Sequence, residues 1–230
     1  MINEKEKDER AYKVEYLGEK LSKDLLSYKV IVLGFYGVGK TSIINKLMEK
    51  ETDKEYAPTI SVDIKNFQVK VNDKIIQIQI WDCCGNDEFA QNTTNLFKNA
   101  SIAILVYAIN EKKSFENLEQ WNNILLYNSY DHITFLIGNK NDLEGERKIT
   151  IENGENFKNS YDNIKMFFET SAKNGEYIDK LLENIVISIY EKNEKEQNDL
   201  ENAMNYNNRP IKLNKENHKK KKKKNCICKL

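Results

Sequence analysis

Lys29-Val30-Ile31-Val32-Leu33-Gly34-Phe35-Tyr36-Gly37-Val38-Gly39-Lys40-Thr41 is the stretch that decides the fold. Val30 to Leu33 is a continuous apolar run of strand length, as expected of a strand covered on both faces. Gly34 to Thr41 satisfies G-x-x-x-x-G-K-[ST], and a helix is expected to open near Gly39 and run to about Lys50. A buried strand, a glycine-rich turn and a helix start make a cradle for phosphate. The backbone N–H groups from Gly34 through Gly37, Val38 and Gly39 can wrap it, and the helix N-terminus favours negative charge. Lys40 reaches the β- and γ-phosphates, the Thr41 hydroxyl is placed to ligate Mg²⁺, and Ser42 completes the phosphate set. A chance glycine-rich turn is the competing reading, and the flanking strand and helix weigh against it.

Downstream, the same texture repeats. Ile60 to Val71 alternates, turns at Asn72-Asp73 and resumes through Ile76, Ile78 and Ile80, which predicts a hairpin. Further buried strands are expected at Ile102 to Ala108, Ile133 to Ile137 and Lys165 to Phe168. Helical stretches lie near Asn86 to Phe97, Ser114 to Asn128, Ile151 to Ser160 and Gly175 to Tyr190. Strands alternating with helices mean an α/β fold, a mostly parallel sheet with helices on both faces. Upstream, Val14, Leu17, Leu21 and Leu25 recur at steps of three and four, so residues 1–28 are read as a charged extension holding a short amphipathic helix. The domain proper is expected to span 29–192. Residues 193–230 are Asn-, Glu- and Lys-rich, and an unstructured tail is expected past roughly Lys195.

Three further motifs fall at expected strand C-termini, where open α/β sheets bind their ligands. Asp82-Cys83-Cys84-Gly85 follows Trp81; its carboxylate can hold Mg²⁺ through water and the Gly85 amide can meet a γ-phosphate. In Asn139-Lys140-Asn141-Asp142 a carboxylate can accept both N1–H and N2–H of guanine, which adenine does not offer. In Glu169-Thr170-Ser171-Ala172-Lys173 the Ala172 amide can donate to guanine O6, beside Ser171, while the Lys173 stem covers the ring. The expected ligands are therefore GTP or GDP with Mg²⁺.

Composition narrows the class. The 230 residues are 40% hydrophobic and 31% charged, with a mean hydropathy of −0.71. That is enough for one core with long solvated ends, and it excludes a fibre or a membrane-spanning chain. The start, Met1-Ile2-Asn3-Glu4, has no apolar segment of a secretory signal, so a cytosolic protein is expected. Cys83-Cys84 and Cys226-x-Cys228 suit neither a disulfide framework nor a zinc site. The zero net charge hides an asymmetry: Lys212 to Lys229 carries nine lysines against one acid, a local +8, leaving −8 on the rest. Lys219 to Lys224 are six consecutive lysines, a tail for an anionic surface. A nucleic-acid patch is the rival reading, though no aromatic residues interleave for base stacking.

In this order the four motifs resemble the small GTPases, and Trp81-Asp82-x-x-Gly85, Leu105-Val106-Tyr107, Ser114-Phe115-Glu116-Asn117-Leu118 with Trp121, and Gly138-Asn139-Lys140-x-Asp142-Leu143 resemble the Rab branch of the Ras superfamily over about Lys29 to Tyr190. The resemblance implies a six-stranded sheet, a monomer, and a GTP/GDP switch in vesicle and protein transport whose loops order around the γ-phosphate. It puts Thr59, within Tyr56-Ala57-Pro58-Thr59-Ile60, over the γ-phosphate and Mg²⁺, and Ser61 to Ile64 in the effector-contact segment. It also implies effectors, an exchange factor, an activating protein and prenyl-delivery machinery, with lipid on Cys226 and Cys228. Such a chain would sit on the cytoplasmic face of an intracellular membrane, with a cytosolic pool. Two residues follow Cys228, which is unusual, and the C-a-a-X rule fails; palmitoylation or an unmodified basic tail are the alternatives.

Two departures bear on turnover. Asn86 stands where the family has the glutamine that orients the attacking water, and Tyr36 puts a bulky side chain beside the γ-phosphate. Both imply slow intrinsic hydrolysis by Lys40, Thr59 and Asn86, unless a partner supplies the missing group. A non-hydrolysing GTP-bound scaffold is the rival from another class; a P-loop kinase or ATPase is disfavoured by Asn139-Lys140-x-Asp142. The stretch from Leu47 to Thr59 looks about two residues short and carries no aromatic at the distance where relatives pack one on guanine, implying faster exchange.

Overall fold

The computed structural model describes residues 12–19, 21–49, 59–86, 94–128 and 132–207. Seven strands are built: β1 Val14–Gly18, β2 Ser27–Leu33, β3 Val62–Val71, β4 Lys74–Cys83, β5 Ala100–Ala108, β6 Ile133–Asn139 and β7 Ile164–Glu169. They form one sheet in the order β1-β3-β4-β2-β5-β6-β7. β2 pairs in parallel with β4 and β5, and β6 with β5 and β7; β3 runs antiparallel to both β1 and β4. The helices are α1 Lys40–Leu47, α2 Lys112–Glu116, α3 Leu118–Asn128, α4 Ile151–Asn159 and α5 Ile178–Asn207, with short 3₁₀ turns at Thr94–Phe97 and Asn141–Glu146.

The central strands are apolar throughout because helices cover both of their faces. One core joins Val30, Val32, Ile104 and Val106 to Ile43, Ile44 and Leu47 of α1 and Leu181, Ile185 and Ile189 of α5. The opposite core joins Ile31, Leu33, Leu105 and Leu136 to Leu118, Trp121 and Leu125 of α3. Fully burying each such side chain contributes about 1.5–3 kcal/mol, so the sheet interior carries most of the stability.

Three expectations are corrected. The sheet has seven strands instead of six. The seventh is the N-terminal segment, where Val14–Gly18 is a strand and not a turn of amphipathic helix. Val14, Glu15 and Tyr16 pair with Val71, Lys70 and Val69, and after a register shift Gly18 pairs with Gln68. The free side of β3 supplies backbone groups that an isolated five-residue segment cannot supply for itself, and this tertiary partner overrides local periodicity. The chain then passes the buried Gln68–Gln77 pair, where the Ser22 amide donates to Gln77 Oε1 at 2.9 Å, and enters β2. Tyr12, just before β1, packs its ring on Tyr190 at 5.7 Å and donates its hydroxyl to Glu191 at 3.2 Å. The third correction is at the other end: α5 does not stop near Tyr190 or fray past Lys195 but continues to Asn207. Glu, Lys and Gln are good helix formers, so a charged stretch continues the helix it starts from.

A first unit ends at Asn193 and a second begins at Glu194. Of the expected helix from Asn86 to Phe97, residues 87–93 lie outside the described residues and Thr94–Phe97 is a 3₁₀ turn. Tyr56-Ala57-Pro58, the lysine run and both terminal cysteines also lie outside them. No helix among the described residues is long and apolar enough to cross a membrane.

Candidate functional site

β2, β4, β6 and β7 all end at the same edge of the sheet, and the four motifs leave from those ends. After β2, Gly34 has φ 140°, and a Cβ there would collide with the Val106 carbonyl of β5, so the turn lies flat on its neighbour strand. Gly39 starts α1 with φ 96°, in the left-handed region that favours glycine, and faces the Asn139 side chain. Lys40 is 7% exposed, and its Nζ donates to the carbonyls of Gly34 and Phe35 at 2.8 and 2.9 Å. Burial lowers its pKa to about 8 against the partly compensating attraction of Asp82. Ser42 lies in the first turn of α1.

The next loop meets this one from across β4. Thr41 Oγ1 donates to Asp82 Oδ2 at 2.5 Å, and Thr59 Oγ1 lies 3.2 Å from Thr41 Oγ1 and 3.4 Å from the same carboxylate oxygen. Asp82 is fully buried and its Oδ1 has no hydrogen-bond partner among the described residues. Burial raises its pKa, although the Thr41 hydrogen bond and Lys40 pull it down. An orphaned carboxylate oxygen beside two hydroxyls is an all-oxygen donor set of the kind that suits a hard divalent cation. Gly85 backs onto the first loop so closely that a Cβ would meet the Tyr36 amide and Lys40 Nζ. The Cys84 amide donates to the Ser61 carbonyl at 2.8 Å, joining the Thr59 and Asp82 segments.

The other two motifs knit together on the far side of the phosphate loop. Asn139 is 1% exposed; its Nδ2 donates to the Val38 carbonyl at 2.8 Å, and its Oδ1 accepts from Thr170 Oγ1 at 3.3 Å and the Ala172 amide at 3.2 Å. Lys140 Nζ donates to the Gly37 carbonyl at 2.7 Å. Ser171 Oγ donates to Asp142 Oδ1 at 2.6 Å, and Lys173 Nζ is 3.7 Å from Asp142 Oδ2. Three separate strand ends are thus bound into one surface.

A Ras family model matches residues 29–191 of this chain. The chain belongs to the Ras family. It is similar to Ras-related protein Rab-13 of Rattus norvegicus, 35% identical over 163 residues covering 70% of this chain and 79% of that protein. It is similar to Ras-related protein Rab-7a of Dictyostelium discoideum, 34% identical over 162 residues covering 68% and 79%. Ras-related protein RABG3d of Arabidopsis thaliana is 35% identical over 176 residues covering 74% and 84%. Identities near one third make this a divergent, Rab-like small GTPase.

In this Rab-like protein the side chains singled out at the four strand ends lie together. Asn86 follows Gly85 at the last described position before residues 87–93, and Tyr36 is 64% exposed, its ring 4.2 Å from that of Phe35. Sequence reasoning gave Asn139 a role toward guanine and missed its grip on Val38 and Thr170. It also missed Arg147, whose guanidinium holds Glu169, at the end of β7, to Glu144 in the turn that carries Asp142. The available signal was compositional: only three of the 36 basic residues are arginine, and one stands directly after Glu144-Gly145-Glu146.

Proposed function

We propose that the protein is a GTP/GDP switch in vesicle trafficking that recruits effectors when GTP-bound and hydrolyses GTP slowly on its own. The observation that carries this reading is the junction of the four strand-end loops, with a buried lysine and a buried carboxylate at one end and a self-bonded set of guanine-reading groups at the other. Asp142 would accept from the guanine N1–H and N2–H, the Ala172 amide would donate to O6, and the stem of Lys173 would cover the ring. Lys40 would exchange its two carbonyl contacts for phosphate oxygens, with the Gly37, Val38 and Gly39 amides around them. Thr41, Thr59 and Asp82 would hold Mg²⁺, which when bound neutralises β- and γ-phosphate charge. Catalysis is then positioning of an in-line water with no covalent intermediate.

Asn86 is one methylene shorter than glutamine, and a shorter amide reaches an attacking water poorly. Tyr36, exposed at the phosphate loop, occupies space that an activating partner's side chain would need. These two residues also favour a second reading, a GTP-bound scaffold that does not hydrolyse. Membrane attachment is proposed through Lys219 to Lys224 and lipid on Cys226 and Cys228; each lysine near an anionic leaflet contributes about 1 kcal/mol, and lipid supplies the second signal for stable anchoring.

Nucleotide released from purified protein by denaturation, followed by single-turnover hydrolysis with Mg²⁺, tests the switch. Slow turnover with retained GTP is expected, and Asn86→Gln should raise the rate about tenfold, a change of about 1.4 kcal/mol in the barrier. An unchanged slow rate in Asn86→Gln would reject Asn86 as the limit, and no turnover in either form would favour the scaffold.

A further inference from the structure

The guanidinium of Arg147 uses all five of its donors. Nη1 donates to Glu169 Oε1 at 2.7 Å and to the Ile149 carbonyl at 2.9 Å, and Nη2 to Glu169 Oε2 and Glu144 Oε2, each at 2.6 Å. Nε donates to Glu144 at 2.9 and 2.8 Å. Arg147 and Glu169 are 15% and 11% exposed in their side chains, whereas Glu144 is 69% exposed. One rigid fork therefore spans two carboxylates, and a lysine, with a single ammonium on a flexible stem, cannot reproduce it.

Those carboxylates belong to different loops. Glu144 sits two residues after Asp142 in the turn Asn141–Glu146, and Glu169 is the last residue of β7, directly before Thr170-Ser171-Ala172. Glu169 also stands opposite Gly138 in the β6–β7 register, with the Tyr107 hydroxyl packed against Gly138. The two loops meet through Ser171 and Asp142, and again through Arg147. A planar base read by an acceptor from one loop and an amide from the other needs the spacing held to a fraction of an ångström.

We propose that Arg147 is a positioning residue for base recognition, setting the distance between the Asp142 loop and the Ala172 loop without touching nucleotide. The inference rests on the guanine-nucleotide reading above. It predicts that disturbing the fork weakens the discrimination that depends on Asp142 while leaving the phosphate end as it was.

Release of a fluorescent GDP, together with competition by GDP, GTP and inosine diphosphate, which lacks the N2 amino group, tests it on the full-length protein. Arg147→Lys should release GDP about tenfold faster and lose about fivefold of the preference for GDP over inosine diphosphate, with the GTP-to-GDP ratio unchanged, as expected for losing about one charge-assisted hydrogen bond's worth of order. Glu144→Gln, a surface change that keeps the fold, should move both readouts the same way by about twofold. Equal loss for every nucleotide, or an unchanged GDP preference in both variants, would overturn the positioning role. Wild-type protein that prefers ADP to GDP would instead overturn the guanine reading itself.

Discussion

The two ends of the candidate site are built on opposite principles. At the base end the groups that join the loops are matched with one another: Asn139 bonds at both ends of its amide, Asp142 is held by Ser171 and Lys173, and Arg147 fills all its donors. At the phosphate end the charges are poorly compensated. Lys40 is buried against neutral carbonyls, Asp82 keeps one oxygen without a partner among the described residues, and burial pushes both toward their uncharged forms. The base end therefore contributes to the fold, whereas the phosphate end draws on it and recovers the difference from ligand.

The widest gap between the two ends should appear on adding ligand. Mg²⁺ and GDP at about 1,000 times Kd should stabilise the protein by about 4 kcal/mol in thermal or denaturant unfolding, and Lys40→Met should remove most of that gain. A Lys40→Met protein stabilised by GDP as fully as wild type would break the comparison. Next in size, Asn139→Ala should destabilise nucleotide-free protein by about 3 kcal/mol, because it strands buried partners on Val38, Thr170 and Ala172. Loss of GDP binding with unfolding unchanged would show that the base end is not structural.

The smallest effect sharpens the contrast. In nucleotide-free protein Lys40→Met should be neutral or stabilising by about 1 kcal/mol, since it removes a desolvated charge. The same penalty has a pH signature. With its pKa near 8 against an ordinary 10.5, folded Lys40 sheds a proton that the unfolded chain keeps, so stability should rise as pH climbs through 8. The clean window closes near pH 9, where unfolded Cys83 ionises while the buried thiol is held up to about 12, an opposing contribution that cancels the Lys40 gain and flattens the curve. Urea unfolding of wild type and Lys40→Met between pH 7.5 and 9 reads it, and identical slopes would clear Lys40 of the cost.

What was legible in the sequence follows the same division. Strand, glycine turn and lysine are contiguous, so the phosphate loop was readable from Val30 to Thr41, as was the hairpin from its alternation around Asn72-Asp73. The strand-end positions of Asp82, Asn139 and Ala172 followed from the apolar runs before them. Arg147 was not readable, because its partner Glu169 comes from a strand whose register with β6 no local pattern encodes. The Val14, Leu17, Leu21 and Leu25 spacing suggested a helix, and the open edge of β3 made a strand of it. Past Tyr190, polarity suggested disorder, whereas helix-forming Glu, Lys and Gln carried α5 on to Asn207.

The edge strand β1 also sets an order of events during synthesis. Val14 pairs with Val71 across 57 intervening steps of chain, so β1 leaves the ribosome with no partner until β3 has emerged behind it. Non-local pairing of this kind is slow to form and adds little until the hairpin partner is in place. A strand made before its partner is therefore secured late. During that interval β1 is exposed, and the charged residues ahead of it, Glu4, Lys5, Glu6, Lys7, Asp8, Glu9 and Arg10, are suited to keeping it soluble while it waits.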